Sequence, residues 1–296
     1  MIRGVLLPII TPFDDRVRVD EEMMRQLVDF HINAGVQGLF VLGSTGQGPA
    51  MTIEERKHAA AIALDQAKKR IPVVIHVGTA DAWSATDLAE HAAAHGADAV
   101  AIVPPYYYSD HTEYEIIAHY QAVHKAMSLP IYIYENPKYS GISIPPGFAL
   151  RMKEQVPALK GIKVAYGQGA LLEYVRLLPD VSVFTGNADL FGLMPFGLAG
   201  MINPPTSFVP ELCVALFKAL DSKDYLAAVE AQKRVDAAAR IVAARLRKWG
   251  RVPLQEVYRM RGFAVKRFPK WDTEQMPKEE IAKLERELRE EGILGQ

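Results

Sequence analysis

Lys163 ends the stretch Leu159-Lys160-Gly161-Ile162-Lys163-Val164, an apolar run of strand length. One helical segment earlier, Pro130-Ile131-Tyr132-Ile133-Tyr134 ends on a tyrosine. If the two runs are neighbouring strands of one parallel barrel, the Lys163 amine and the Tyr134 phenol project from the same rim. An amine beside a phenol is the pair needed to form and break a Schiff base with a ketone. Desolvation at the end of an apolar strand favours the neutral, nucleophilic amine. Singly, a lysine is usually a solvated charge and a tyrosine a packed ring with its hydroxyl bonded. Their pairing on adjacent strands is what points to catalysis.

The other strand ends supply hydroxyls and amides and little charge. In chain order they are Thr11-Pro12-Phe13, Gly43-Ser44-Thr45-Gly46-Gln47-Gly48, Pro104-Pro105-Tyr106-Tyr107-Tyr108, Tyr134-Glu135-Asn136-Pro137, Gly186-Asn187-Ala188-Asp189 and Asn203. Glycines around Ser44 and Thr45 let backbone N–H groups converge, and the hydroxyls add donors, a small nest for one carboxylate or phosphate. A plain strand-to-helix loop is the alternative. The turn lacks the Gly-Lys-Ser/Thr ending of a nucleotide-binding loop. The Tyr106–Tyr108 run is either packing or a source of a phenol for proton transfer. The eight histidines are scattered mostly along helical stretches. His91 and His95 are four apart, but no Glu follows the first as a zinc-protease helix requires, so no metal site is expected. His76 ends the third strand near the rim. No elbow sequence marks a Ser–His–Asp nucleophile.

The elements that must position these groups alternate. Strand-like runs are Gly4–Ile10, Gly38–Leu42, Val73–Val77, Ala99–Val103, Ile131–Tyr134, Gly161–Val164, Val181–Thr185 and Gly200–Ile202. Helical periodicity marks Glu21–Ala34, Thr52–Lys69, Ser84–His95, Glu113–Met127, Gly147–Gln155, Ala170–Leu178 and Pro210–Ala219. Asp189–Phe196 is ambiguous, because its apolar residues are nearly continuous. Thr52 before Ile53-Glu54-Glu55 predicts a capping box, and Ser84 a second helix start. About eight βα units without a glycine-rich fingerprint after the first strand predict a (β/α)8 TIM barrel; an open doubly wound sheet is the competitor. Beyond residue 222 the strands stop, and Asp224–Leu246, Val252–Val265 and Lys278–Glu291 predict a C-terminal helical appendage. The expected division is therefore a barrel over 1–222, carrying the site, and a helical extension over 223–296 packed on it.

Bulk properties fit one large core: 296 residues, 49% hydrophobic and 23% charged. A net charge of -1 gives no global field toward nucleic acid or an acidic membrane. The cluster Arg245, Arg247, Lys248 and Arg251 fits a solvated helix end or subunit contact better than a binding patch. Cys213, the single cysteine, forms no intrachain disulfide and fits a buried helix face in a reducing compartment. Val5–Ile10, interrupted by Pro8, is too short to span a bilayer and lacks a signal-peptide layout, so the expected location is cytoplasmic.

Several motifs together resemble the dihydrodipicolinate synthase and N-acetylneuraminate lyase family of class I, Schiff-base aldolases. They are Pro8-Ile9-Ile10-Thr11-Pro12-Phe13, Gly43-Ser44-Thr45-Gly46, Thr52-Ile53-Glu54-Glu55-Arg56, Pro105-Tyr106-Tyr107, Tyr134 with Pro137, and Gly161-Ile162-Lys163. The likeness spans the whole chain. It implies that Lys163 forms an imine with pyruvate or a 2-keto acid, with no other cofactor, and that Tyr134 shuttles protons. It implies that Ser44 and Thr45, with Gly46, hold the substrate carboxylate, Ser44 also relaying to Tyr134. Tyr107 matches a tyrosine that enters the relay of an adjoining subunit, implying a homo-oligomer, commonly a dimer of dimers. Thr11, Gly186, Asn187 and Asn203 complete the expected substrate-binding rim.

Departures from the family pattern narrow the substrate. Tyr139 stands where dihydrodipicolinate synthases carry an arginine for a second carboxylate, and Gln47 stands where a Glu is usual. Asp189 matches an acidic position that neuraminate lyases turn toward substrate hydroxyls, but Ala188 replaces their aspartate. Gly43 through Ala50 is closer to 2-keto-3-deoxy sugar-acid aldolases. The leading expectation is reversible cleavage of such an acid to pyruvate and an aldehyde. The competitors are dehydration through the same imine, and hydration-cleavage of an aromatic ylidene-pyruvate with Tyr139 against the ring. Lysine-pathway synthase activity ranks lower, and a non-catalytic keto-acid-binding barrel lowest.

Overall fold

The eight strand-like runs form one closed, all-parallel barrel in sequence order. The computed structural model describes residues 2–165, 168–203 and 206–295. The strands are β1 (Gly4–Pro8), β2 (Gly38–Val41), β3 (Val73–His76), β4 (Ala99–Ile102), β5 (Ile131–Glu135), β6 (Leu159–Val164), β7 (Ser182–Thr185) and β8 (Gly200–Met201). They are nearly continuous apolar runs because both faces are covered: side chains fill the interior and helices shield the outside. Period-two alternation sorts the faces. Phe40, Val74, Tyr132, Tyr134 and Phe184 belong to the interior cluster, whereas Ile133 and Ile162 pack outward. The β5–β6 register pairs Tyr132 with Gly161 and Tyr134 with Lys163, so Lys163 shares the inward face. This closed, helix-wrapped sheet replaces the open-sheet alternative.

Closure depends on β1 meeting β8, where Gly4 pairs with Gly200. A Cβ on Gly200 would lie 1.8 Å from the Gly4 carbonyl oxygen, and φ there is +155°, so the seam accepts only glycine.

Between and after the strands lie α1 (Glu21–Asn33), α2 (Ile53–Ala67), α3 (Ala82–Ala94), α4 (Glu113–Ala126), α5 (Pro137–Ser140), α6 (Pro146–Gln155), α7 (Gln168–Leu177), α8 (Pro210–Asp221), α9 (Tyr225–Trp249), α10 (Val252–Met260) and α11 (Lys278–Glu290). The Thr52 capping box is present on α2. α3 begins earlier than expected: Asp81 is the cap and accepts the Ser84 amide at 2.8 Å, a role the Ser84 side chain does not take. The short α5 was hidden from periodicity by its length and starts on Pro137, whose fixed φ suits a first helical turn.

The ambiguous segment before β8 forms turns and one 3-10 turn at Met194–Phe196, with no α-helix. Gln232 of α9 holds it: Oε1 accepts from the Leu190 and Phe191 amides at 3.0 Å, and Nε2 donates to the Ala188 carbonyl at 2.9 Å. α9 thus clasps the β7–β8 connection. Among the described residues, no helix is long and apolar enough to cross a membrane. Cys213 is buried with Sγ 3.2 Å from Thr206 Oγ1, and burial pushes its thiol up to about 12, so it packs without reacting.

Candidate active site

At the carboxyl end of the barrel is a cavity of about 630 Å³. Its walls include Ser44, Thr45, Tyr134, Tyr139, Lys163, Gly186, Asn187 and Asn203 from the expected rim. They also include α9 and α10 residues Ala239, Arg240, Ala243, Leu246 and Leu254, with Gly250, Arg251 and Trp271. The C-terminal helices therefore form one side of the cavity as well as packing on the barrel.

Lys163 is 3% exposed, with Nζ 4.2 Å from the centroid of the Tyr134 ring and 4.8 Å from that of Phe40. Burial lowers its basicity below the ordinary 10.5, with Tyr134 opposing the shift. Tyr134 is the focus of a small network. Its hydroxyl is 3.4 Å from Ser44 Oγ and accepts Asn136 Nδ2–H at 2.9 Å. Burial raises the phenol, but the Lys163 charge and the bonds from Ser44, Asn136 and Lys163 outweigh it, leaving it below the ordinary 10.0. The pair is thus an amine easier to deprotonate than usual beside a phenol easier to ionise than usual, poised for proton exchange.

Beneath the pair, His76 points inward with its ring edge-on to Tyr134, centroids 6.0 Å apart. Burial, then Arg56 and Lys163, holds it well below 6.5, so it is a neutral wall. Arg56 is fully buried and donates to the His76 carbonyl at 2.8 Å and the Gly78 carbonyl at 3.1 Å, bracing the end of β3.

The Gly43–Gly48 loop folds back on the end of β2, and a Cβ on Gly48 would lie 2.0 Å from the Leu42 carbonyl oxygen. Thr11 does not reach the cavity; buried, it donates Oγ1–H to the Gly46 carbonyl at 2.7 Å and so fixes this loop. Gly46 likewise lies behind the lining. Gln47 Oε1 accepts the Lys270 amide at 2.7 Å, and Lys270 Nζ is paired with Glu55, which anchors the segment carrying Trp271. Asp189 is exposed outside the lining, with Oδ1 accepting the Gly192 amide at 3.2 Å. Tyr107 is 85% exposed on its own chain, at φ +86° and edge-on to Tyr108.

Sequence patterns missed Asn136, Arg251 and Trp271 as parts of this site. Asn136 is two residues beyond Tyr134, on the strand end already singled out. Arg251 reads in the sequence only as part of a basic cluster at a helix end or subunit contact, and Trp271 has no local signal; the structure puts both on the cavity wall because of helices distant in sequence. Arg251 Nη1 donates to the Ser44 carbonyl at 2.6 Å and Nη2 to the Tyr139 hydroxyl at 3.3 Å. Arg245, of the same basic cluster, is instead buried against Glu287 at 2.9 Å.

Glu135 faces away from the cavity, buried, and burial raises its carboxyl to about 7 from 4.5. A carboxyl raised on folding binds protons more tightly folded than unfolded, so its destabilising contribution grows as pH rises from 4.5 to about 7 and is constant above. Glu135→Gln is expected to raise stability at pH 8 by roughly 1–3 kcal/mol and to change little at pH 4.5, read by thermal melts at both pH values.

The model described as "Dihydrodipicolinate synthetase family" matches residues 1–290. The 4-hydroxy-tetrahydrodipicolinate synthase of Rhizobium meliloti is 32% identical over 266 residues, covering 88% of this chain and 90% of that one. The probable 2-dehydro-3-deoxy-D-pentonate aldolase of Escherichia coli K12 is 31% identical over 238 residues, covering 78% and 79%. Among solved structures, a prophage protein of the dihydrodipicolinic acid synthase family from E. coli K12, in complex with pyruvate, aligns with a TM-score of 0.90 at 25% identity and covers 99% of each chain.

Proposed function

We propose, from the premise that this chain belongs to the dihydrodipicolinate synthetase family, that it is a lyase cleaving a 2-keto-3-deoxy sugar acid to pyruvate and an aldehyde. The observation that carries this is the buried Lys163 amine 4.2 Å from the Tyr134 ring, beside the Ser44 and Thr45 hydroxyls in one cavity.

Neutral Lys163 Nζ attacks the keto carbon; the carbinolamine loses water and becomes an iminium. Tyr134, protonated in the free enzyme, gives its proton to the departing carbinolamine hydroxyl and, as the resulting phenolate, takes the proton of the C4 hydroxyl. The C3–C4 bond breaks, its electron pair enters the iminium to give an enamine, and the aldehyde leaves. Tyr134 returns the proton to C3, and water hydrolyses the imine to free pyruvate and the amine. Ser44 relays protons to the Tyr134 hydroxyl, Asn136 fixes that hydroxyl, and the Ser44–Thr45 turn holds the keto-acid carboxylate. Asn187 and Asn203, which line the cavity, would bond substrate hydroxyls. Exposed Tyr107 supports completion of the relay in a neighbouring copy, and with it a homo-oligomer.

The name of the E. coli pentonate aldolase supports a sugar-acid substrate. Tyr139 in place of the arginine of synthases argues against lysine-pathway condensation. Incubation with a keto-deoxy sugar acid tests the assignment: pyruvate plus aldehyde is expected, whereas a keto acid that has only lost water would make the protein a dehydratase. One observation favours a second reading. The outer wall of Ala243, Leu246, Leu254 and Trp271 is apolar and suits the ring of an aromatic ylidene-pyruvate.

A further inference from the structure

We propose that the far end of the substrate, beyond the keto acid, carries a second anionic group, a carboxylate or a phosphate, and that Arg251 recognises it with help from Lys138. The inference deepens the imine chemistry above and rests on it.

Three separate parts of the fold fix the Arg251 guanidinium. Nη1 donates to the Ser44 carbonyl at 2.6 Å, Nη2 donates to the Tyr139 hydroxyl at 3.3 Å, and the group lies 5.8 Å from the Trp271 ring centroid. None of these contacts neutralises its charge. Arg240 on the same wall has Glu291 at 3.3 Å, but among the described residues neither Arg251 nor Lys138 has a carboxylate partner. No Asp or Glu appears among the described residues lining the cavity. The cavity wall therefore carries fixed positive charge with no protein counterion.

A guanidinium has five N–H donors, and Ser44 and Tyr139 account for two. The remaining donors form a planar fork suited to two oxygens of one carboxylate or phosphate. Because the group is already immobilised, little side-chain entropy is lost when an anion docks. The Ser44 carbonyl links this fork to the turn assigned to the keto-acid carboxylate, so one substrate can reach both. Lys138 lies on α5 next to Tyr139 and adds a second, exposed point charge to the cavity lining.

A tie that merely fastens the α9–α10 junction to the barrel would use the same hydrogen bonds, so the test must read charge selectivity. Pyruvate-dependent condensation is measured with two matched pairs: glyceraldehyde 3-phosphate against glyceraldehyde, and succinic semialdehyde against butanal. The wild-type chain is expected to favour the anionic member of at least one pair by about tenfold or more in kcat/KM, and the favoured pair tells phosphate from carboxylate. Arg251→Gln is expected to reduce that ratio by about 10- to 100-fold, chiefly through KM, with Arg251→Lys retaining part of it. Equal rates on both members of both pairs, or an Arg251→Gln ratio equal to wild type, would overturn the proposal. A binding readout covers slow aldehydes: glycerol 3-phosphate or succinate should bind the pyruvate-loaded wild type at least about tenfold more tightly than the Arg251→Gln form. Equal binding also sinks it. Borohydride trapping of pyruvate in the same samples keeps the two ideas apart. A trapped adduct without anion preference removes only the second-anion subsite, and no adduct removes the imine reading itself.

Discussion

Replacing Lys163 with alanine is expected to abolish covalent capture of pyruvate and lower turnover by at least about 10⁴-fold. In the wild-type chain, pyruvate followed by borohydride should leave one carboxyethyl group on Nζ of Lys163, found by mass spectrometry of the intact protein and its peptides. The expectation follows from position. Lys163 is inward-facing, 3% exposed and short of basicity because of burial, whereas most other lysines lie on the surface with their charge solvated or paired. The variant should still fold, since alanine fits an interior that already holds Ala99 and Ala101. Truncation also removes an amine that burial disfavours when charged. Labelling at any other lysine, or unchanged activity in Lys163→Ala, would end the imine assignment.

Tyr134→Phe should retain the fold and the imine while losing about 10²–10⁴-fold in kcat/KM. Phenylalanine keeps the ring that packs edge-on against Phe40 and His76 and removes only the hydroxyl joined to Ser44 and Asn136. The pH profile separates this role from a structural one. Wild-type kcat/KM should rise with pH as the amine deprotonates below its ordinary 10.5 and fall as the phenol ionises below its ordinary 10.0. Because the two groups interact, both limbs belong to the pair. Without the phenol the falling limb should vanish. The rising limb should move to lower pH, since Tyr134 is what favours the charged amine against burial. A Phe variant with a wild-type profile would remove Tyr134 from proton transfer.

Much of the barrel was legible because parallel strands covered on both faces must read as short apolar runs, and each run from Gly4 to Met201 does. The Lys163–Tyr134 neighbourhood followed from the same rule, since period-two alternation places Tyr132, Tyr134, Gly161 and Lys163 on one face. Less legible were features set by direction or by distant chain. Thr11 and Asp189 lie at strand ends, yet one turns into a loop and the other into a local turn. The segment before β8 has helix-like apolar density, but Gln232 takes its backbone amides. Arg251 and Trp271 face the cavity only because α9 and α10 fold back over it, an arrangement without a local sequence signal.

The Gly4–Gly200 seam has a consequence for biosynthesis. β1 is made first, yet one of its edges has no mate until nearly all of the barrel has been translated. Until then its unpaired amides and carbonyls are an open template for a stray strand, and the loop to be closed is the longest in the sheet. Ring completion is thus a nonlocal event that waits on β8.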